Sequence, residues 1–524
     1  TPPARRALRH GGPSLLGLLA WLAAAVALAP LVGVVATAFG DGRADIAAPD
    51  LIRYALTSAA LALMVAIGTA VLGSVSAWLV VMHRFPGRSV FAWALALPLA
   101  APAFALAYAY ADLFDVAGDL RTWMRAVPGI AWGPHIRSLP GAAFVLSLAF
   151  YPYVYLTLRA ALVSQSAQAI EAARSLGCTP IQALFRVGLP LLRPALAAGV
   201  ALAVMETLAD FGAVQFLSVQ TLTTGVVRSW FVYGSLASAA AILLWIERLS
   251  RRGRTDEAAR ARWRPIAPTR LTGGRGVLAF VFCFGLLTLG LLLPVGWLAV
   301  NALDVSPEWS RLARAASHSL GLGLAGACVT VVLATCLALS AERMPIVARI
   351  SSLGYATPGA VMAIGLLAPA SLVWQNMPGA VSGLGVGLVL LIYAYAARLM
   401  AAALEPVEAG LTRVTPSMVA AARTLGRSEV GAALSVRLPI ASGALLTAIL
   451  VVFIDVVKEL PATLILRPFN VDTLAVIADN YARDERLAYA GWPSLMIIAL
   501  TLPAVIWLTR KITASRPGDP HGHD

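Results

Sequence analysis

The chain has 524 residues, of which 59% are hydrophobic and only 13% charged, whereas soluble proteins carry about 25% charged residues. This composition excludes a disordered protein, a disulfide-stabilised secreted domain and a cytosolic enzyme with a single membrane anchor. A polytopic membrane protein remains, and at about 20 apolar residues per spanning helix the length accommodates about a dozen helices. The formal net charge of +14 must therefore be interpreted by where the charges lie.

Twelve apolar runs are each long enough to be a membrane-spanning helix. The first follows Arg5, Arg6 and Arg9 and is too long for the apolar region of a cleaved signal peptide, so we expect a retained helix. With this end in the cytoplasm, the excess of arginine falls on the cytoplasmic side, which predicts cytoplasmic N- and C-termini. The predicted spans are 14–39, 54–82, 89–111, 140–163, 191–213, 231–247, 276–302, 315–340, 350–373, 380–404, 440–457 and 488–509.

An arginine-rich stretch at 248–275 separates the spans into two groups of six. We interpret it as a cytoplasmic linker whose arginines fix the topology, with a nucleic-acid or acidic-lipid patch as the alternative. The predicted organisation is therefore a first repeat at 1–247, this linker, a second repeat at 276–512 and a cytoplasmic tail at 513–524.

A short segment recurs in the predicted cytoplasmic loops of the two halves. Residues 171–177 read EAARSLG and residues 420–426 read AAARTLG, and at the same interval after each segment stands a proline, Pro190 or Pro439. Six spans per repeat is an even number, so the two repeats should be related by a pseudo-two-fold axis along the membrane normal. Such an axis predicts a central path.

The local sequence of these segments predicts two short helices joined by a glycine. Gly177 and Gly426 are each expected to end a helix in the left-handed backbone conformation. In the second copy, Ser428 is the expected N-cap of the next helix and Glu429 favours its positive end. A helix, turn and helix on a membrane face is a shape suited to docking.

The sequence offers no catalytic or structural metal centre. The four cysteines form no CxxC pair and the six histidines are scattered. The two lysines, Lys458 and Lys511, follow Val457 and Arg510 rather than the glycine that a Walker A loop requires. We therefore expect neither an enzyme nor a cofactor in this chain. A membrane-embedded enzyme would need a convergent catalytic set.

Four acidic residues interrupt the spans at matching positions in the two halves. Glu206 and Asp210 are four residues apart and share one helix face, as do Asp455 and Glu459. Ionisable residues within spans are costly and indicate function by default. The pseudo-symmetry places the two pairs on opposite sides of one path, where carboxylate oxygens suit a hard cation. The alternative is that they lie at hydrated helix ends or pair with Lys458 and loop arginines.

Two further sets of oxygen donors lie near the spans. Asp112, Asp115 and Asp119 form an acidic run that we expect in a solvated outer loop, with steering of a cation or docking of a basic partner as the alternative. Tyrosines are expected in packing or in the interfacial belt; they are Tyr108, Tyr110, Tyr151, Tyr153, Tyr155, Tyr393 and Tyr395.

From Glu171 to Pro190 the chain resembles the permease subunits of bacterial ATP-binding-cassette (ABC) importers, whose coupling-loop pattern is matched there in full. The second copy has Ala420 in place of the family's glutamate. The resemblance implies an all-α polytopic membrane protein of the type I ABC importer permease fold, with coupling loops at 164–190 and 405–439 that contact an ATPase. The implied coupling residues are Glu171, Ala172, Ala173, Gly177, Pro190, Ala421, Ala422, Gly426 and Pro439.

Two further stretches, METLADFG at 205–212 and KELPATL at 458–464, resemble fused ferric-iron importer permeases. This resemblance implies import of ferric iron from a periplasmic binding protein across the bacterial inner membrane. ATP and Mg²⁺ would be bound by a partner, an ABC ATPase homodimer. The resemblance also implies contact with the lipid bilayer and no nucleic-acid partner. The implied substrate path, with transient metal contacts, consists of Glu206, Asp210, Asp455 and Glu459.

Other substrates and mechanisms are still open at the level of the sequence. Similar fused permeases carry thiamine or phosphonates, and a phosphonate path should favour arginines and helix N-termini over acids. An ion-coupled secondary transporter would need no ATPase, so paired coupling loops argue against it.

Overall fold

The computed structural model describes residues 15–38, 48–115, 122, 126, 135–164, 175–177, 189–225, 269–340, 359–376 and 383–514. Within these ranges eight helices are long and apolar enough to cross a membrane, or nine if a bent pair forms one span. The chain is an all-α polytopic membrane protein. Twelve spans stay a prediction, because 231–247 and the start of 350–373 lie outside the described residues.

The helices of the first half follow the predicted apolar runs, with α2 starting earlier and the fifth run ending at Ala209 rather than 213. The described elements are α1 (Leu15–Ala38), α2 (Ala48–Met82), strand β1 (His83–Arg84), α3 (Arg88–Ala94), a 3₁₀ turn (Leu97–Ala100), α4 (Ala103–Leu113), α5 (Leu139–Ser164), α6 (Leu189–Ala209) and α7 (Gly212–Phe216).

The second half also follows its apolar runs and adds short helices between them. The elements are strand β2 (Thr269–Arg270), α8 (Gly274–Leu287), a π-helical turn (Thr288–Leu292), α9 (Leu293–Leu303), α10 (Trp309–Ser340), α11 (Gly359–Asn376), α12 (Gly383–Leu411), α13 (Pro416–Thr424), α14 (Glu429–Ala432), a second π-helical turn (Ala433–Arg437), α15 (Leu438–Lys458), α16 (Pro461–Leu466), α17 (Leu474–Arg483) and α18 (Leu487–Ala514).

The predicted span at 89–111 is wrong as a single helix. The chain instead bends by 89° between the 3₁₀ turn and α4. Pro102 explains the bend: it has no N–H to continue a helix, and it forces Ala101 before it into an extended conformation, with φ −88° and ψ 133°. The break leaves carbonyl groups without partners inside the helix, and the Ala100 carbonyl accepts a hydrogen bond from the Thr501 hydroxyl of α18 at 2.7 Å.

The first helix of each half packs on the other half. Helix α1 lies against α10, α11 and α12 of the second half. Helix α8 buries Cys283, Leu286 and neighbouring side chains in the apolar core of the first half. Each core therefore contains side chains from both repeats, so neither repeat completes its own core alone.

A two-residue parallel ladder joins the last part of the predicted linker to the end of α2. Strands β1 and β2 pair with His83 opposite Thr269 and Arg84 opposite Arg270. The Thr269 hydroxyl also lies 2.9 Å from Nδ1 of His83. Residues 248–268 of the predicted linker lie outside the described residues, so its domain role stays a prediction.

Candidate functional site

The four acidic residues singled out in the sequence line one cavity. Glu206 lies at the end of α6, Asp455 lies at the end of α15, and Asp210 and Glu459 follow those two helices directly. The cavity has a volume of about 90 Å³ and takes its lining from both halves. The structure therefore brings the two acid pairs together around a common space, where the sequence predicts a path.

Asp210 caps a short helix that begins where α6 breaks. Its Oδ1 atom accepts hydrogen bonds from the backbone N–H groups of Ala213 at 3.0 Å and Val214 at 3.1 Å, in the first turn of α7. The carbonyl of Asp210 accepts a further bond from the Thr223 hydroxyl at 2.8 Å. A carboxylate is a strong acceptor for the otherwise unpaired N–H groups of a helix start, so Asp210 holds the break in place.

Glu459 has the corresponding position in the second half. Its two carboxylate oxygens accept from the N–H groups of Ala462 at 2.9 Å and Thr463 at 3.0 Å, at the start of α16. The Thr463 hydroxyl donates a further bond at 2.8 Å. Glu459 is almost fully buried, with 4% of its surface exposed. Both long helices thus end at a carboxylate that caps the next short helix.

Two basic side chains neutralise part of the negative charge of the cavity. The Arg398 guanidinium of α12 lies 3.2 Å from Oε1 of Glu459. The Lys458 ammonium lies 3.4 Å from Oδ1 of Asp455. The sequence left open a pairing of the acids with Lys458 and with loop arginines. Lys458 does pair with Asp455, but the arginine that pairs with Glu459 lies in a spanning helix rather than in a loop. A single arginine within the apolar run 380–404 is the signal that would have indicated it.

The acidic residues do not form a coordination sphere in this conformation. Among the described residues, no three Asp, Glu, His or Cys side chains lie close enough to hold a metal ion together. The pairing of the carboxylates with Arg398, Lys458 and backbone N–H groups accounts for this arrangement. The transient metal contacts predicted for these acids stay a prediction.

Most of the candidate tyrosines have structural roles. Tyr153 lines the acidic cavity. The hydroxyl groups of four others form hydrogen bonds with protein atoms: Tyr108 with Asp479, Tyr110 with the Leu289 carbonyl, Tyr155 with the Ala92 carbonyl and Tyr395 with Thr463. These four are also almost fully buried, so they pack in the core rather than in an interfacial belt.

Contacts between the two halves lie beside the cavity at Phe211. Phe211 lines the cavity, and the Arg483 guanidinium of α17 lies over its ring, 5.6 Å from the centroid. Arg483 also bonds to the Asp479 carboxylate at 2.6 Å and to the Gln215 side chain at 3.2 Å. These contacts fasten α17 of the second half to α7 of the first.

The predicted outer acidic run is only partly solvated. Asp112 accepts hydrogen bonds from Trp297 at 2.8 Å and from Asn301 at 2.5 Å. Asp115 lies 3.9 Å from Arg137. Asp119 lies outside the described residues. Asp112 therefore ties α4 to α9 of the other half.

The second coupling loop has the helix, turn and helix geometry that its sequence predicts. Helix α13 ends at Thr424, and Gly426 two residues later has φ +83°. The Gly426 N–H bonds to the Arg423 carbonyl and the Arg427 N–H bonds to the Ala422 carbonyl, which is the Schellman pattern of a helix end. The Ser428 hydroxyl then accepts from the Gly431 N–H at 3.0 Å and caps α14.

The first coupling loop shares the same turn where the structure describes it. Gly177 has φ +90°, close to the value at Gly426. Glu171, Ala172 and Ala173 lie outside the described residues, and Pro190 lies in the first turn of α6 as Pro439 lies in the first turn of α15. The described part of the loop therefore supports the repeat.

An exposed leucine, which was not predicted as a site residue, precedes the glycine of each coupling loop. Leu176 is 85% exposed and Leu425 is 84% exposed. Because they have equivalent positions in the repeat, both side chains are candidates for contact with a partner protein. The repeated Leu-Gly dipeptide is the signal that could have found them.

Each coupling loop is connected to the cavity by a single helix. Helices α6 and α15 both have 21 residues, which corresponds to about 30 Å at 1.5 Å per residue. Both begin next to a coupling loop and end beside the cavity acids. One continuous helix therefore links each loop to the acidic cavity.

Comparison with known proteins identifies the family. The profile of the "binding-protein-dependent transport system inner membrane component" family matches residues 70–246. The sulfate transport system permease protein CysT of Escherichia coli is 31% identical over 35% of this chain and 68% of its own length. The chain belongs to this permease family. As a member, the permease works in the inner membrane with an ATPase and a substrate-binding protein.

Other relatives show that both halves of the permease are of this type. The Fe(3+)-transport system permease protein FbpB 2 of Haemophilus influenzae is 26% identical over 86% of this chain and 88% of its own length. The putative 2-aminoethylphosphonate transport system permease protein PhnU of Salmonella typhimurium is 28% identical over 32% of this chain and 60% of its own length. The permease is thus a fused ABC importer subunit that resembles the ferric-iron permeases across both halves.

Proposed function

We propose that this permease forms the path by which ferric iron, delivered by a periplasmic binding protein, crosses the inner membrane. One observation carries the proposal: two acid pairs from distant parts of the sequence line a single cavity. Its lining has four acidic side chains against two basic ones, a formal excess of negative charge. Ferric iron is a hard cation that prefers oxygen ligands, and an acidic lining favours its entry over that of an anion.

The size of the cavity also favours an ion. Its volume of about 90 Å³ is well below the roughly 300–1,000 Å³ of pockets for drug-sized ligands. Thiamine would need a larger space than this conformation offers. The relative named for Fe(3+) transport matches nearly the whole chain, whereas the sulfate and phosphonate relatives match about a third of it.

The mechanism follows from the connection between loops and cavity. Two ATPase subunits, as a homodimer, would bind the loops that contain Gly177 and Gly426 and would hold ATP and Mg²⁺. Closure of the ATPase dimer would push both loops, and α6 and α15 would carry that movement to the cavity. The chain itself makes and breaks no bond, and its two conformations are biased by the loops. Both termini would lie in the cytoplasm.

An oxyanion substrate is the second candidate. Arg398 and Lys458 line the cavity beside the acids, and relatives are named for sulfate and phosphonate transport. An anion could pair with these two side chains if the acids turned away.

Uptake by the reconstituted complex separates the two candidates. Proteoliposomes that contain the permease, its ATPase and its binding protein are supplied with ATP inside and with radiolabelled Fe³⁺, sulfate or thiamine outside. We expect ATP-dependent accumulation of Fe³⁺ alone. Accumulation of sulfate or thiamine without Fe³⁺ would overturn the iron assignment, and accumulation of any substrate in liposomes that lack the ATPase would overturn the importer.

A further inference from the structure

The charges of the cavity are distributed unequally between the two halves. Both basic side chains in its lining, Arg398 and Lys458, come from the second half. The first-half residue that corresponds to Lys458 in the repeat is Ala209, which lines the same cavity. The two acid pairs are thus equivalent in sequence but not in environment.

The carboxylates of the cavity also differ in how firmly they are held. Asp210 and Glu459 each bond to two backbone N–H groups at the start of a helix. Asp455 instead faces Lys458, a flexible side chain three residues further along the same helix. A carboxylate held by one mobile ammonium can exchange its partner without unfolding a helix, whereas a capping carboxylate cannot.

Lys458 also connects the halves. Its ammonium donates to the carbonyl of Leu99 at 3.1 Å, in the 3₁₀ turn that precedes the 89° bend of the first half. That carbonyl lies where the helix is interrupted, so it needs a donor from elsewhere. The side chain of Lys458 is only 16% exposed. One ammonium therefore ties a second-half carboxylate to the first-half backbone.

We propose that Lys458 is a gate of the cavity: its ammonium occupies Asp455 in place of the substrate cation and must leave that carboxylate when substrate passes. This inference rests on the proposed function, because it takes the substrate to be a cation. A trivalent ion attracts a carboxylate more strongly than a single ammonium does at the same distance. Passage of the ion releases Lys458 from Asp455 and weakens the tie to Leu99, so the halves separate only when a multivalent cation is present.

The gate is tested by the chemical reactivity of the lysine. The complete complex is treated in proteoliposomes with a small amine-acylating reagent, and modification of Lys458 is measured by peptide mass spectrometry. Lys511 is the internal reference, since its ammonium also bonds to a backbone carbonyl, that of Gly443 near the other end of α15, but on an exposed surface. The ratio of the two modifications corrects for protein amount and reagent concentration.

The first comparison concerns the resting complex and is independent of the substrate. Asp455→Asn removes the negative charge that holds the ammonium, so we expect a several-fold rise in modification of Lys458 relative to Lys511. Asp484→Asn changes an exposed acid outside the cavity lining and should leave the ratio unchanged. An unchanged ratio in folded Asp455→Asn would overturn the gate, whatever the permease transports.

The second comparison concerns turnover. With ATP inside and Fe³⁺-loaded binding protein outside, the wild-type complex should show the same rise in Lys458 modification, whereas iron-free binding protein should not produce it. Iron uptake without a rise in Lys458 modification would overturn the displacement. Failure of the wild-type complex to take up iron would instead overturn the iron assignment. A rise in Lys458 modification in the Asp455→Asn variant would still support the tie between Lys458 and Asp455.

Discussion

Asp210 and Glu459 are equivalent helix-capping residues in the two halves of the permease. Each carboxylate ends a long spanning helix and accepts hydrogen bonds from two backbone N–H groups of the short helix that follows. One turn earlier on each helix, Glu206 and Asp455 also line the cavity. Each acid pair therefore contains one carboxylate that caps a helix and one that lies a turn earlier, and the second kind is the better candidate for contact with substrate.

Removal of the two capping carboxylates should destabilise the permease unequally. Loss of an N-cap costs about 0.5–2 kcal/mol, which is what we expect for Asp210→Ala. Glu459→Ala also removes an ion-pair partner of the Arg398 guanidinium, and breaking a buried ion pair costs about 3–5 kcal/mol. Thermal unfolding of the purified variants should therefore show the larger loss of stability for Glu459→Ala.

A second variant isolates the ion pair from the cap. Glu459→Ala combined with Arg398→Leu should recover part of the lost stability, because the uncompensated charge is removed with its partner. Equal melting temperatures for Asp210→Ala and Glu459→Ala would contradict the role of Arg398 in this account.

The glycines of the coupling loops should not tolerate proline. Gly177 and Gly426 have φ of +90° and +83°, whereas proline fixes φ near −65°. We expect Gly177→Pro to abolish ATP-dependent uptake while the permease is still inserted in the membrane. Alanine reaches positive φ at a cost of about 1–2 kcal/mol, so Gly177→Ala should reduce uptake only partly. Unchanged uptake by the proline variant would show that the turn is not needed for coupling.

The exposed leucines of the coupling loops should contribute to ATPase binding. Leu425→Asp places a charge on a side chain that is 84% exposed, so the permease should fold normally. We expect less ATPase to co-purify with this variant and with Leu176→Asp. Phe469→Asp is the control, because Phe469 is 88% exposed in the segment between α16 and α17, outside the spanning helices and the coupling loops. Equal ATPase recovery from all three variants would place the contact surface elsewhere.

The sequence predicts the elements of this fold better than their arrangement. Apolar runs place most helices to within a few residues, because length and hydropathy alone decide whether a segment can span a bilayer. The bend between α3 and α4 was missed, although Pro98 and Pro102 indicated it. The packing of α1 and α8 on the opposite halves could not be predicted, since hydropathy does not determine which helix an apolar face contacts.

The candidate site was predicted in composition but not in detail. The helical spacing of Glu206 and Asp210, and its repetition in the second half, was sufficient to place four acids together. Their different roles depend on where α6 and α15 end, and helix ends are the least certain feature of a sequence-based prediction. The contact of Arg398 with the acids was not predicted, because the sequence does not identify the partner of a single arginine in an apolar run.

The most direct test of the acidic path is iron uptake by a permease that lacks the carboxylates of Glu206 and Asp455. The Glu206→Gln/Asp455→Asn variant keeps the side-chain size and the caps at Asp210 and Glu459, so it should assemble normally with the ATPase and binding protein. Its ATP-dependent uptake of radiolabelled Fe³⁺ should fall by about tenfold or more, which corresponds to roughly 1.4 kcal/mol. Asp484→Asn/Glu485→Gln, outside this cavity, should match wild type. Full iron uptake by the cavity variant would contradict the assignment of the acidic cavity as the substrate path.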